Sequence, residues 1–288
     1  MVNSVVNSPT DTVPYHQQDT THWCGSACAM MVLHSLGVSK AGGFALDQKR
    51  VRSVAQNSAR SDPTYQWVSA PDGLTAALNY FCERSDVTIA GHKGASRRWE
   101  LVAADSEEEI SRYIVWTLWQ YKAPVVALVF GMMHWVVVGG CVTSRPPLSA
   151  DDTGYDILGF HICDPWPPIP HELARNDRFR HIDHRDDNGN VVMADGCGSG
   201  WDGDLASDSM GGRGVALRYV SYNDWQIRDH STPDRRRHSG YMLGVPPTLT
   251  LTHKPGKPEI KVRSKWVGKF VAICDPIDVA SEVEQSVA

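Results

Sequence analysis

Long runs of one charge are missing from this 288-residue chain. Its densest basic block is Arg235-Arg236-Arg237-His238, flanked by Asp229 and Asp234, and the formal net charge is -5. Without a basic stripe to follow a phosphate backbone, the chain is not expected to bind nucleic acid. A secretory start is also missing. Met1-Val-Asn-Ser-Val-Val-Asn-Ser-Pro9 has neither a basic opening nor a long apolar centre, which predicts a cytoplasmic protein. Cysteine is present but unpatterned: Cys24, Cys28, Cys82, Cys141, Cys163, Cys197 and Cys274 are seven in number and irregular in spacing. A disulfide framework is therefore not expected, and a reducing compartment fits. There is no phosphate-cradling glycine loop and no dinucleotide fingerprint. Gly196-Cys-Gly-Ser-Gly200 lacks the G-x-S-x-G spacing of a serine elbow.

A membrane helix is excluded for a different reason. Ala123 to Val142 is nearly all apolar and long enough to span. It is also valine-rich and broken by Pro124, Gly131, His134, Gly139 and Gly140. Two buried strands joined at Gly131-Met132-Met133 fit this pattern better, so no membrane partner is expected. Hydrophobic residues at 42% and charged residues at 21% are ordinary for a folded soluble protein.

Residues 1–13 read as a polar tail, 14–246 as the main domain, and 247–288 as a β-rich extension packed on it. The run from Cys24 to Leu36 predicts a helix stopped by Gly37 and apolar on most faces, hence central. Pro71 to Phe81 predicts a second helix with proline in its first turn. Ser106 and Glu109 stand at capping-box spacing and open a third, which runs to about Tyr121 with Ile110, Ile114, Leu118 and Tyr121 on one face. Residues 38–70 and 165–216 read as loop-rich. Short strands are expected at Val87–Ala90 and Glu100–Ala103. Further strands are expected over Val125–Phe130, His134–Val142, Tyr155–Cys163 and Val215–Tyr222, and in the extension over 248–252, 259–262 and 269–274. Helices first and strands second make an α+β order.

Within that frame Cys24 stands out. It heads the central helix in Trp23-Cys24-Gly25-Ser-Ala-Cys28, where unpaired first-turn N–H groups and the positive helix end favour thiolate. Gln18, six residues upstream, has a side-chain amide suited to a developing oxyanion; Gln17 is its neighbour alternative. A cysteine nucleophile needs a base, and the base an orienting group. His134 opens a buried valine strand, and Asp164 ends the next one ahead of Pro165, so adjacent pairing brings the two together. Asp275, in Ile273-Cys-Asp275-Pro, is the rival acid.

Gln18, Trp23-Cys24-Gly25, His134-Trp135 with its valine strand, and Asp164-Pro165 together resemble the papain-like cysteine peptidases. The closest group is the bacterial C39-like peptidases, similar to bacteriocin-leader peptidases. Pro71-Asp-Gly-Leu and Ala123-Pro-Val-Val add to the likeness, which covers roughly residues 14–165. The resemblance implies a papain-like α+β fold, with a helical N-terminal part, a central helix headed by Cys24, and a C-terminal antiparallel sheet. It implies a soluble bacterial thiol protease that needs no cofactor or metal and acts on a peptide or protein. Gln18 would be the oxyanion donor, Cys24 the nucleophile, His134 the base and Asp164 the orienting acid. The chain departs from the C-G-[SA]-C-[WY] signature at Cys24-Gly-Ser-Ala-Cys28-Ala. It has Asp where papain itself has Asn, and it lacks the transporter to which leader peptidases are fused. The same triad would serve a deamidase, an amidase or a transglutaminase-like acyltransferase of toxin or effector type. An idle site would leave a binding module.

Other clusters have plainer readings. Cys24 and Cys28 share a helix face and with His22 form a zinc possibility, but a second ligand pair is missing. His181 and His184, with Asp183, Asp186 and Asp187, form either a metal site or a polar loop. Asp202 and Asp204 lack a full calcium-loop pattern.

Overall fold

A computed structural model describes residues 6–7, 13–19, 23–59, 69–85, 88–89, 92–93, 97–129, 134–165, 193–194, 218–226, 242, 244–245, 249–252, 260–262 and 265–278. The fold is mixed helix and strand, built around an antiparallel sheet. Strands β1 (Val6–Asn7), β2 (Lys40–Ala41) and β3 (Phe44–Ala45) are short, as are β4 (Thr88–Ile89) and β5 (His92–Lys93). The long ones are β6 (Arg97–Ala104), β7 (Val125–Val129), β8 (His134–Thr143) and β9 (Ile157–Cys163). Later come β10 (Met193–Ala194), β11 (Arg218–Ser221), β12 (Leu249–Thr252), β13 (Ile260–Val262) and β14 (Phe270–Asp278). The helices are α1 (Cys24–Ser35), α2 (Gln48–Ser58), α3 (Pro71–Glu83), α4 (Glu107–Gln120) and the single turn α5 (Tyr222–Trp225).

The main sheet runs β11-β9-β8-β7-β14-β6, with β1 added alongside β8. Every pairing in it is antiparallel. The C-terminal strand β14 thus sits inside the sheet between β7 and β6. Both faces are buried, and this explains the membrane-like run. Val126 and Leu128 of β7, Trp135 and Val137 of β8, and Val271 and Ile273 of β14 pack beneath α1 and α3. Their alternating neighbours Val125, Ala127, Val136, Val138, Ala272 and Cys274 pack against α4 with Ile110, Ile114 and Leu118. Side chains alternate across a strand, so a strand covered on both sides has no polar position to interrupt it. No helix among the described residues is long and apolar enough to cross a membrane.

Three expectations are corrected. Residues 6–7, read as part of a polar tail, form β1 against Val142 and Thr143. The reason is length: β8 has ten residues and β7 only five, so the far half of β8 has an edge to fill. Residues 38–70, read as loop-rich, contain α2 and the β2–β3 hairpin, which turns on Gly42 and Gly43 at φ 57 and 79. Asp47 caps α2 by accepting from the Arg50 N–H at 2.8 Å. The helix has no clear apolar period because only Gln48, Val51 and Ala55 are buried. The sheet is also not purely C-terminal, since β6 precedes α4 and forms one edge.

Candidate active site

The start of α1 is an unusual place for a helix to begin. Trp23 stands at the N-cap position, provides no side-chain cap, and the first turn carries no acidic residue. The positive end of the helix therefore meets no acidic side chain in its own first turn, beside the Cys24 thiol. Cys24 through Leu33 are all buried, as expected for a helix apolar on every side, and Gly37 ends it with φ 83. Gly25 is required by packing. A Cβ there would lie 2.5 Å from Ser69 Cβ and 2.6 Å from Ser69 Oγ. The same Ser69 accepts the Trp135 indole N–H on its carbonyl at 3.0 Å. The first turn of α1, the entry to α3 and the start of β8 are thereby locked together.

His134 and Asp164 meet as the strand reading expects. The β8–β9 register pairs Val137 with Cys163, which puts Asp164 one step further, diagonal to His134. His134 Nε2 lies 2.8 Å from Asp164 Oδ1. The imidazole is 3% exposed and the carboxylate 20%. Burial alone pulls the His134 pKa down, but the Asp164 charge and hydrogen bond, then the hydrogen bond and charge of Cys24, raise it to about 10. With one ring nitrogen on Asp164, the other remains for the Cys24 thiol. A carboxylate, an imidazole and a thiol thus stand in sequence at the head of α1.

The rival acid lies elsewhere. Ile273 pairs with Val126, so the chain reaches Asp275 beyond the Val125 end of β7, whereas His134 pairs with Val129 at the other end. Cys28, one turn below Cys24, donates its thiol to the Trp135 carbonyl at 3.2 Å. Burial, then the neighbouring Cys24 and Asp164, pushes its pKa well up, so Cys28 is a packed thiol. Among the described residues no group of three His, Cys, Asp or Glu side chains is placed to hold a metal ion. His22, Gly131 to Met133, His181, Asp183, His184, Asp186, Asp187, Cys197, Asp202, Asp204 and Arg235 to His238 lie outside the described residues.

The upstream glutamine is brought to the same place. Gln18 is 1% exposed, while Gln17 is on the surface. The Gln18 backbone N–H donates to the Pro165 carbonyl at 2.9 Å, next to Asp164. One neighbour leaves little trace in the sequence. Tyr15 packs on the α1 core, and burial together with the nearby Asp164 charge holds its phenol above the usual range. Its only sequence signal is an aromatic three residues before Gln18.

No protein-family model, curated protein or solved structure matches the chain.

Proposed function

We propose that the protein is a papain-like cysteine peptidase of the C39-like kind, acting on a peptide or protein substrate. One observation carries the reading: His134 lies between Asp164, at 2.8 Å, and Cys24 at the start of a buried helix whose N-cap residue gives no side-chain cap. The raised His134 pKa favours an imidazolium beside a thiolate, the resting state a thiol nucleophile needs.

The thiolate of Cys24 attacks the substrate carbonyl carbon. The carbonyl electron pair moves onto oxygen, where the Gln18 side-chain amide and the Cys24 backbone N–H donate to it. Collapse of the adduct expels the amine, which takes its proton from His134 and leaves a thioester on Cys24. Neutral His134 then removes a proton from water as it adds to the thioester. A second collapse releases the acid and returns the thiolate–imidazolium pair. Asp164 keeps the imidazole in one tautomer and orientation throughout.

The test is selective labelling. Iodoacetamide followed by peptide mapping is expected to modify Cys24 before any other cysteine, and Cys24→Ala is expected to abolish cleavage of a dye-labelled unfolded protein. Retention of cleavage by Cys24→Ala would end the proposal. Intact-mass analysis of the substrate separates a backbone cut from side-chain deamidation or a crosslink.

A further inference from the structure

We infer that Gln48 is the positioning residue for Gln18, an inference that rests on the oxyanion role proposed for that glutamine. Residues 13–19 have no helix or strand of their own, so nothing regular holds Gln18 in place. What holds it is a set of hydrogen bonds on three successive residues. Gln48 Nε2 donates to the Gln17 carbonyl at 2.7 Å, and the Asp19 N–H donates to Gln48 Oε1 at 3.0 Å. Between them, the Gln18 N–H donates to Pro165 at 2.9 Å. One side-chain amide thus grips the backbone on both sides of Gln18, and the chain carrying Asp164 grips the middle.

The economics of burial support a dedicated role. Gln48 is 5% exposed. An amide removed from water costs free energy unless its donor and acceptor are both satisfied, and here both are spent on the segment around Gln18. The base of the clamp is rigid. Gln48 is the first residue of α2, whose start is fixed by the Asp47 cap and by Arg50 donating to the Ala45 carbonyl at 3.2 Å. Below it α2 lies so close to α3 that a Cβ on Gly73 would come within 2.3 Å of the Ala55 carbonyl oxygen. Gln48 is therefore a fixed point from which residues 17–19 are placed. A donor aimed at an oxyanion acts only when held within a fraction of an ångström, which is the property such a clamp provides.

The experiment separates positioning from folding by using two reactions of one thiol. Acylation by p-nitrophenyl acetate passes through an oxyanion, while alkylation by iodoacetamide is a displacement at a saturated carbon and forms none. Gln48→Met, which keeps the length and removes both hydrogen bonds, is expected to slow the acylation burst about 10-fold to 100-fold, in line with the cost of a misplaced group. Alkylation of Cys24 should stay within about twofold of wild type, since the thiol and His134 are untouched. Gln48→Glu keeps the acceptor for the Asp19 N–H, and an intermediate loss is expected. Gln48→Met combined with Gln18→Ala should be no slower than Gln18→Ala alone. Equal slowing of both reactions, or a normal burst in Gln48→Met while Gln18→Ala is impaired, would overturn the role of Gln48. A normal burst in Gln18→Ala would instead overturn the oxyanion role, and the positioning role with it.

Discussion

The helices on the two faces of the main sheet begin in opposite ways. At α4, Ser106 Oγ accepts from the Glu109 N–H at 3.1 Å and Glu109 Oε2 accepts from the Asp105 N–H at 3.1 Å. Glu107, Glu108 and Glu109 all stand in its first turn, against the positive helix end. At α1 there is neither a side-chain cap nor an acidic residue. The difference is one of use. The α4 start spends its orphan N–H groups on its own stability. The α1 start sets no acid and no Trp23 side-chain cap against Cys24, and under the proposed function its positive end would favour a thiolate. The buried polar groups divide the same way. On the α4 side Trp225 Nε1 donates to Ser111 Oγ at 3.0 Å, Ser111 donates to Glu107 at 3.0 Å, and Gln226 donates to Glu107 at 3.1 Å. That network closes on itself and ties α5 to α4. On the α1 side the His134–Asp164 pair ends at a thiol.

The largest effect should come from breaking the reactive side alone. Asp164→Asn keeps the shape but removes the charge that holds up the His134 pKa. Hydrolysis is expected to fall by about 10³-fold to 10⁴-fold, as when a triad loses its orienting acid. The same variant should change the titration of His134, followed by the imidazole ring-proton NMR signals. In the wild type His134 is raised to about 10, so it stays charged through neutral pH. In Asp164→Asn burial is left as the dominant influence and the midpoint should drop below 6.5, its ordinary value. The stability linkage has a definite sign. A folded pKa above the unfolded one stabilises fully below about pH 6.5, and that contribution is lost as pH rises toward 10. The gap in urea midpoint between wild type and Asp164→Asn should therefore narrow from pH 6 to pH 10; a constant gap would contradict the pairing.

The next effect belongs to the other face. Ile114 of α4 is fully buried in the core that contains Val125, Val136 and Ala272. Ile114→Ala is expected to cost about 2–5 kcal/mol of unfolding free energy, the usual result of a core cavity. Alkylation of Cys24 in the folded fraction should be unchanged, because α4 lies across the sheet from α1. A large change in that rate would mean that the two faces are coupled rather than separate.

How much of this was legible in the chain depends on the kind of signal each part leaves. α1 is marked by an unbroken apolar run stopped by Gly37, α3 by Pro71 and α4 by the Ser106 cap, so their positions follow from residues close in sequence. The meeting of His134 with Asp164 was legible too, because each stands at a strand end that the local sequence marks. The surrounding support was not. Gln48, Tyr15 and Ser69 act across the fold on backbone atoms, at a buried phenol or through close packing, and none belongs to a motif. The α2 helix leaves a weak sequence signal because it is seated by only two buried apolar side chains and a buried amide. The choice between Asp164 and Asp275 likewise needed the register, since both end an apolar stretch ahead of proline. Only pairing reveals that Asp275, on β14, lies past the Val125 end of β7, away from His134.

The smallest effect is the most direct check on the two helix starts, because it exchanges their properties. Ser106→Ala removes the α4 cap and should cost about 1 kcal/mol of stability by urea titration. It should leave the Cys24 alkylation rate alone. For α1 the useful pair is Trp23→Ser and Trp23→Asp. Both lose the indole, over which the Arg52 guanidinium sits at 5.5 Å, so that loss cancels in the comparison. Both offer an oxygen to the first-turn N–H groups. Only Asp adds a negative charge beside Cys24. A carboxylate there competes with the thiolate for the helix end, an interaction of about 0.3–1 kcal/mol. Trp23→Asp should therefore alkylate about 2-fold to 5-fold more slowly than Trp23→Ser near neutral pH, and the difference should shrink in high salt as the charges are screened. Equal rates for the two variants would show that the bare start of α1 contributes nothing to the thiol, and the contrast with α4 would then be one of packing only.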